Sequence, residues 1–183
     1  MADVTENTLR AAIKALKDVI APSVDRDDAL ANEQIRLVTQ YLEFTGERLD
    51  LLYERDRFEL AHHLQMARTL TALSTHASDQ VATSLEAAIA QGTGAYNRAG
   101  LPPGELKAAS ASLACAVRML VREASTYPAS VSKKIQSVVL DLSQERVAFE
   151  RSWYLPLGFD PAPGEVPPIS SVLEKWRDLA VEH

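Results

Sequence analysis

The chain has 183 residues, 46% of them apolar and 24% charged, with a net charge of −6 and a pI near 5.2. This is the composition of an ordinary globular protein with enough chain for a sizeable core. The acidic balance argues against broad nucleic-acid binding and adhesion to anionic membranes, both of which want a basic face. Cys115 is the single cysteine, so no intramolecular disulfide and no CxxC motif exists. The opening MADVTENTLR lacks the apolar core of a signal peptide. No run approaches the ~18 to 20 continuous apolar residues of a membrane span. The expectation is a cytoplasmic protein with no membrane partner.

Apolar spacing is helical almost throughout, and no alternating β-branched run marks a strand. Leu9, Ile13, Leu16 and Ile20 predict a first helix stopped by Pro22. Asp27 or Asp28 can cap a second, because a carboxylate accepts the free amide hydrogens of a helix start. Its pattern runs to Ser74 with Gly46 as the one expected break. Unbroken, it would span roughly 70 Å, against a radius of gyration near ~16 Å for a compact chain of this length. So the over-long helix must break or be covered by another subunit. Ser78 is placed to cap a third helix with Val81, Leu85 and Ile89. Four of the seven glycines fall in residues 91–105, which predicts a loop there. A fourth helix follows from about Glu105, with Leu106, Leu113, Val117 and Leu120. Pro128 separates it from a fifth, with Ile135, Val138, Leu142, Phe149 and Trp153.

Five of the nine prolines lie between Trp153 and Ser170, which predicts an extended arm. Trp153, Tyr154 and Phe159 mark it as a segment that makes contacts. Ile169, Val172, Leu173, Trp176 and Leu179 then form an amphipathic terminal helix that must dock its apolar face, with Trp176 buried. The expected fold is all-α: an antiparallel four- or five-helix bundle over residues 1–154. Residues 155–183 add the arm and the docked helix to the same domain.

A heptad laid on the second pattern from Ile35 puts Asp56, Glu59 and His63 at successive seam positions between apolar ones. Buried carboxylates need partners, so these three predict a polar layer: each other, a cation, or arginines such as Arg55. A neighbouring carboxylate should raise the folded pKa of His63. Glu59 and His62 also form one ExxH pair, the helical spacing of bundle metal sites. Glu59, His62 and His63 are thus the candidate metal ligands. The pair occurs once where such sites use it twice, so neither a metal nor another cofactor is expected.

Arg57-Phe58-Glu59-Leu60-Ala61-His62 has the form Arg, apolar, any three, His. Over these six residues it resembles the short motif of HEPN-type helical domains, many of which are metal-independent ribonucleases acting as dimers. The resemblance implies Arg57 and His62 as a catalytic pair, with the histidine carrying the proton.

Other signals are weaker. Gly92 and Gly94 follow no strand, so they form no dinucleotide loop. Tyr96, Asn97 and Arg98 would lie at a loop tip. In the small-residue run AASASLACAV, Cys115 reads as a buried apolar thiol. Arg118, Arg122, Lys133 and Lys134 carry the basic excess of the fourth and fifth helices. Together these readings favour a non-enzymatic assembly or accessory subunit, homo-oligomeric (a dimer first) or bound to a helical partner. A ribonuclease and a metal-binding bundle are the alternatives.

Overall fold

The computed structural model describes residues 4–181, with the backbone alone for Lys175 and residues 177–181. The chain is all-helical, with no strand among the described residues. It divides into two compact units. One takes the residues up to Leu52 with Tyr154–Pro163, the other Tyr53–Trp153 with the chain from Gly164.

The first unit opens with α1 (Val4–Ala15), continued by a π turn, Leu16–Ile20, and a last α turn, Ala21–Ser23. The helix thus ends one residue past Pro22, close to the expected stop. Proline has no N–H for the carbonyl four residues back, and its ring crowds that carbonyl. The wider π turn, closed by the Ala21 N–H on the Leu16 carbonyl, absorbs the misfit. In α2 (Ala29–Arg48), Asp28 provides the expected cap, its Oδ1 accepting from the Ala31 N–H at 2.9 Å. Lys17 of the π turn pairs with Glu43 of α2.

The expected over-long helix is not continuous. A 3₁₀ turn takes Leu49–Leu51 before α3 (Leu52–Thr71) begins. The Leu49 N–H bonds to the carbonyl of Gly46, three residues back instead of four. The break therefore begins from the glycine and falls just after it.

The arm is not extended either. Leu155–Leu157 and Pro163–Glu165 are 3₁₀ turns. Proline's fixed φ suits a 3₁₀ turn as well as an extended chain, so neighbouring residues decide. Gly158, at φ 74°, closes the first turn onto the Leu155 carbonyl at 3.1 Å in a conformation that only glycine adopts cheaply. Asp160 Oδ1 accepts from the Ala162 N–H at 2.9 Å and bends the chain again. Within this unit Tyr154 stacks on Phe44 at 5.7 Å, and Gln40 Nε2 donates to the Leu157 carbonyl at 2.7 Å.

The second unit contains α3, α4 (Asp79–Asn97), α5 (Pro103–Glu123), α6 (Ala129–Tyr154) and α7 (Ile169–Val181). Its core is built from Leu60, Leu64 and Leu70 of α3, Leu85 of α4, Leu106, Leu113 and Leu120 of α5, and Ile135 of α6. Ser78 precedes α4 as expected, but its hydroxyl does not cap it. Glu123 holds this residue instead, accepting from the Ser78 N–H at 2.8 Å and Oγ at 3.0 Å. Cys115 is exposed, contrary to expectation. The buried arc of α5 is set by Leu106, Ala109, Leu113, Ala116, Val117 and Leu120, and residue 115 lies off it. The terminal segment docks through Val166, Ile169 and Leu173, all buried. Ser152 Oγ donates to the Pro167 carbonyl. Trp176 is half-buried, edge-on to Phe58 at 5.8 Å. Leu179 lies outside the described side chains.

The expected loop over residues 91–105 shrinks to residues 98–102, with Gly92 and Gly94 inside α4. Gly92 is there for close approach: a Cβ at this position would stand 2.7 Å from Leu113 Cδ1 and 3.0 Å from Leu64 Cδ2. A Cβ at Gly94 would meet nothing within 4 Å. Gly92→Val is therefore expected to cost about 1–3 kcal/mol by overpacking. Gly94→Ala should instead stabilise by up to about 1 kcal/mol through helix propensity. Urea unfolding of the two variants checks the opposite signs.

Candidate functional site

The charged and polar stretch of α3 meets three other helices of its unit: α5 takes Asp56 and His63, α6 takes Arg55 and α4 takes Arg57. Asp56 is buried and faces Lys107 of α5, whose Nζ lies 3.6 Å from its carboxylate. Burial pushes the Asp56 carboxyl up, and Lys107 partly offsets that. Glu59 pairs along its own helix with Arg55 at 3.5 Å. The Arg55 guanidinium lies over the Trp153 ring of α6, 4.9 Å from its centroid. His63 Nδ1 is 2.8 Å from Ser110 Oγ of α5.

The polar side chains of Asp56, Glu59 and His63 thus point to three separate partners. Lys107, Ser110 and Arg146 could not be paired with them from sequence, because they lie on other helices. The small-residue run around Ser110 was the one available signal. The expected rise in the His63 pKa is overturned. Burial and the Arg146 guanidinium lower it, outweighing the Glu59 carbonyl and charge that would raise it.

His62 sits deeper, at 3% exposure. Its ring stacks on Phe58 at 6.1 Å and meets His63 edge-on at 5.9 Å. Burial first, then His63 and Arg146, bring its pKa down to about 4, so the imidazole is neutral at pH 7. Arg57 turns the other way. Its Nη1 donates to the Tyr96 carbonyl of α4 at 3.1 Å, and its guanidinium lies 4.3 Å from the Tyr96 ring centroid. Arg57 and His62, five residues apart on one helix, do not converge. A proton carrier also needs access to substrate and a pKa near the working pH. His62 has neither.

Ser110 and His63 have the spacing of a nucleophile and its base. Ser110, however, is buried in the middle of α5, where the backbone amides are spent on helix hydrogen bonds, so its own helix supplies no oxyanion donors. Among the described residues no three His, Cys, Asp or Glu side chains gather closely enough to hold a metal ion. The residues expected to make contacts separate by burial. Trp153 is 1% exposed and belongs to the core, whereas Tyr154 and Phe159 are 42% and 73% exposed. No known protein family, curated protein or solved structure matches the chain.

Proposed function

We propose that the chain is a non-enzymatic assembly or accessory protein of the cytoplasm. In this reading α3–α6 form an antiparallel helical bundle, and the protein works by presenting helix faces to copies of itself or to a helical partner. The observation that carries it is the poor burial of α1 and α2. No residue of α1 is fully buried, and α2 buries Thr39, Phe44 and Arg48 alone. Val19, Leu30, Val38, Tyr41 and Phe159 of the same unit are between 48% and 73% exposed. Leu30, Val38 and Tyr41 share one side of α2 at helical spacing, and exposed apolar side chains grouped in this way mark interaction surfaces. The chemically suggestive residues of α3, by contrast, are taken up by internal contacts.

Sedimentation equilibrium at micromolar concentration is expected to give a mass of at least twice 20.0 kDa. A monomer that persists to ~100 μM, a concentration that would populate even a weak dimer, would defeat the homo-oligomeric form of the reading. The ribonuclease alternative predicts cleavage of single-stranded RNA without metal, abolished by Arg57→Ala. The burial of His62 supports the opposite result.

A further inference from the structure

In the first unit a cavity of about 420 Å³ opens beside α2, inside the range of small-molecule pockets, about 300–1,000 Å³. Ile35, Arg36, Thr39 and Glu43 line it from one face of α2, at the three- and four-residue spacing of helix neighbours. Lys17 of the π turn and Ala21 just after it complete the wall. π turns are frequent at functional sites. Thr39 is 8% exposed and one of the three buried residues of α2. Thr8, Thr45, Thr69, Thr71 and Thr93 each donate to the carbonyl four residues back. Thr39 makes no such bond, and its hydroxyl has no other partner among the described residues. A buried hydroxyl left unpaired is costly, and this side chain borders open space that a ligand atom can fill.

Each cation at the cavity stands beside a carboxylate. Arg36 is fully engaged: Nε and Nη2 donate to Glu33, and Nη1 donates to Gln40 Oε1. Lys17 and Glu43 pair at the half-exposed rim and keep positions open. An ammonium has three hydrogens and a carboxylate two oxygens, and the pair uses one of each. We propose that the cavity binds a free α-amino acid with an apolar side chain. Its carboxylate accepts from Lys17 Nζ and the Thr39 hydroxyl, which lies one turn from Glu43. Its ammonium donates to Glu43. Its side chain lies along the half-buried Ala21 and Ile35. A ligand of one sign is repelled by one member of the Lys17–Glu43 pair. A zwitterion suits both, because its two charges sit on a single carbon as the pair sits on a single hydrogen bond. Assembly through helix faces and binding in this cavity are separate properties, and neither requires the other.

The test is an NMR titration of the full chain, reading backbone amide shifts, with L-leucine, L-isoleucine, L-valine, L-methionine and L-phenylalanine in turn. At least one is expected to bind with a dissociation constant of about 1 mM or below, within what roughly ten heavy atoms can supply. For the best of them, the N-acetyl derivative and the carboxamide each lack one charge and should bind at least about tenfold more weakly. Thr39→Val keeps the shape and removes the hydroxyl, and Lys17→Met removes the cation. Each should weaken binding at least about tenfold with helix content unchanged by circular dichroism. No shift with any of the five at about 10 mM overturns the site. Equal binding of the N-acetyl derivative or the carboxamide overturns the zwitterion, and this comparison needs only the wild type. Wild-type affinity in both variants puts the ligand elsewhere and overturns the cavity as its site.

Discussion

Phe149→Ala is expected to destabilise the protein by about 3–5 kcal/mol, the usual cost of deleting a buried aromatic ring from a packed core. Phe149 is 2% exposed. Its ring lies on Phe58 with centroids 3.9 Å apart and planes 11° from parallel, and it meets Trp153 at 6.0 Å. Phe58 in turn carries His62 on one side and Trp176 edge-on. Removing Phe149 opens a cavity at the centre of this aromatic set, which joins α3, α6 and α7. Urea unfolding followed by tryptophan fluorescence measures the loss. Phe159→Ala serves as control: that ring is 73% exposed, and its removal should change stability by no more than about 0.5 kcal/mol. A Phe149→Ala variant as stable as the control would show that the stack is not part of the core.

Acidification supplies the second large effect. In the unfolded chain His62 titrates near ~6.5, and in the folded protein near 4 because it is buried beside His63 and Arg146. Between these values the unfolded state binds a proton that the folded state refuses, so stability rises with pH. The protein should therefore lose stability as pH falls from about 6.5 to about 4, by about 3 kcal/mol in all for this group. Above that window His62 contributes no pH dependence. His63, lowered for the same leading reason, acts in the same direction. Asp56 opposes them. Its raised carboxyl favours the folded state at low pH, and that contribution is lost as pH rises through its folded pKa. His62→Leu should flatten the slope of unfolding free energy between pH 4 and 6.5 by up to one proton. An unchanged slope would place the titrating group elsewhere.

Much of the architecture was legible from local pattern. Helical spacing of Leu, Ile and Val along the chain is enough to predict an all-α protein, because a 3.6-residue repeat has no alternative home in a sheet. Asp28 reads as a cap because capping is a contact over three residues, and the Ala31 N–H does donate to it. Arg55 and Glu59 meet for the same reason: four residues apart on a helix, they are neighbours whatever the rest of the chain does. The terminal helix also had to bury one face, and Leu173 shows which.

What the sequence could not decide were contacts whose cause lies on another helix. Gly92 reads locally as a loop residue and is in fact the point where Leu64 and Leu113 press on α4. Ser78, the residue before α4, is held by Glu123, forty-five residues away. His63 beside Glu59 reads locally as a histidine with a raised pKa. Burial against α5, together with Arg146 of α6, reverses the sign. The arm turns instead of extending because Gly158 and Asp160 bend it and Gln40 of α2 binds its carbonyl. Composition and period settle which residues are helical and which face is apolar, since both depend on neighbours within a turn or two. Burial, pKa and the separation of Arg57 from His62 depend on which helices meet, and only the tertiary structure decides that.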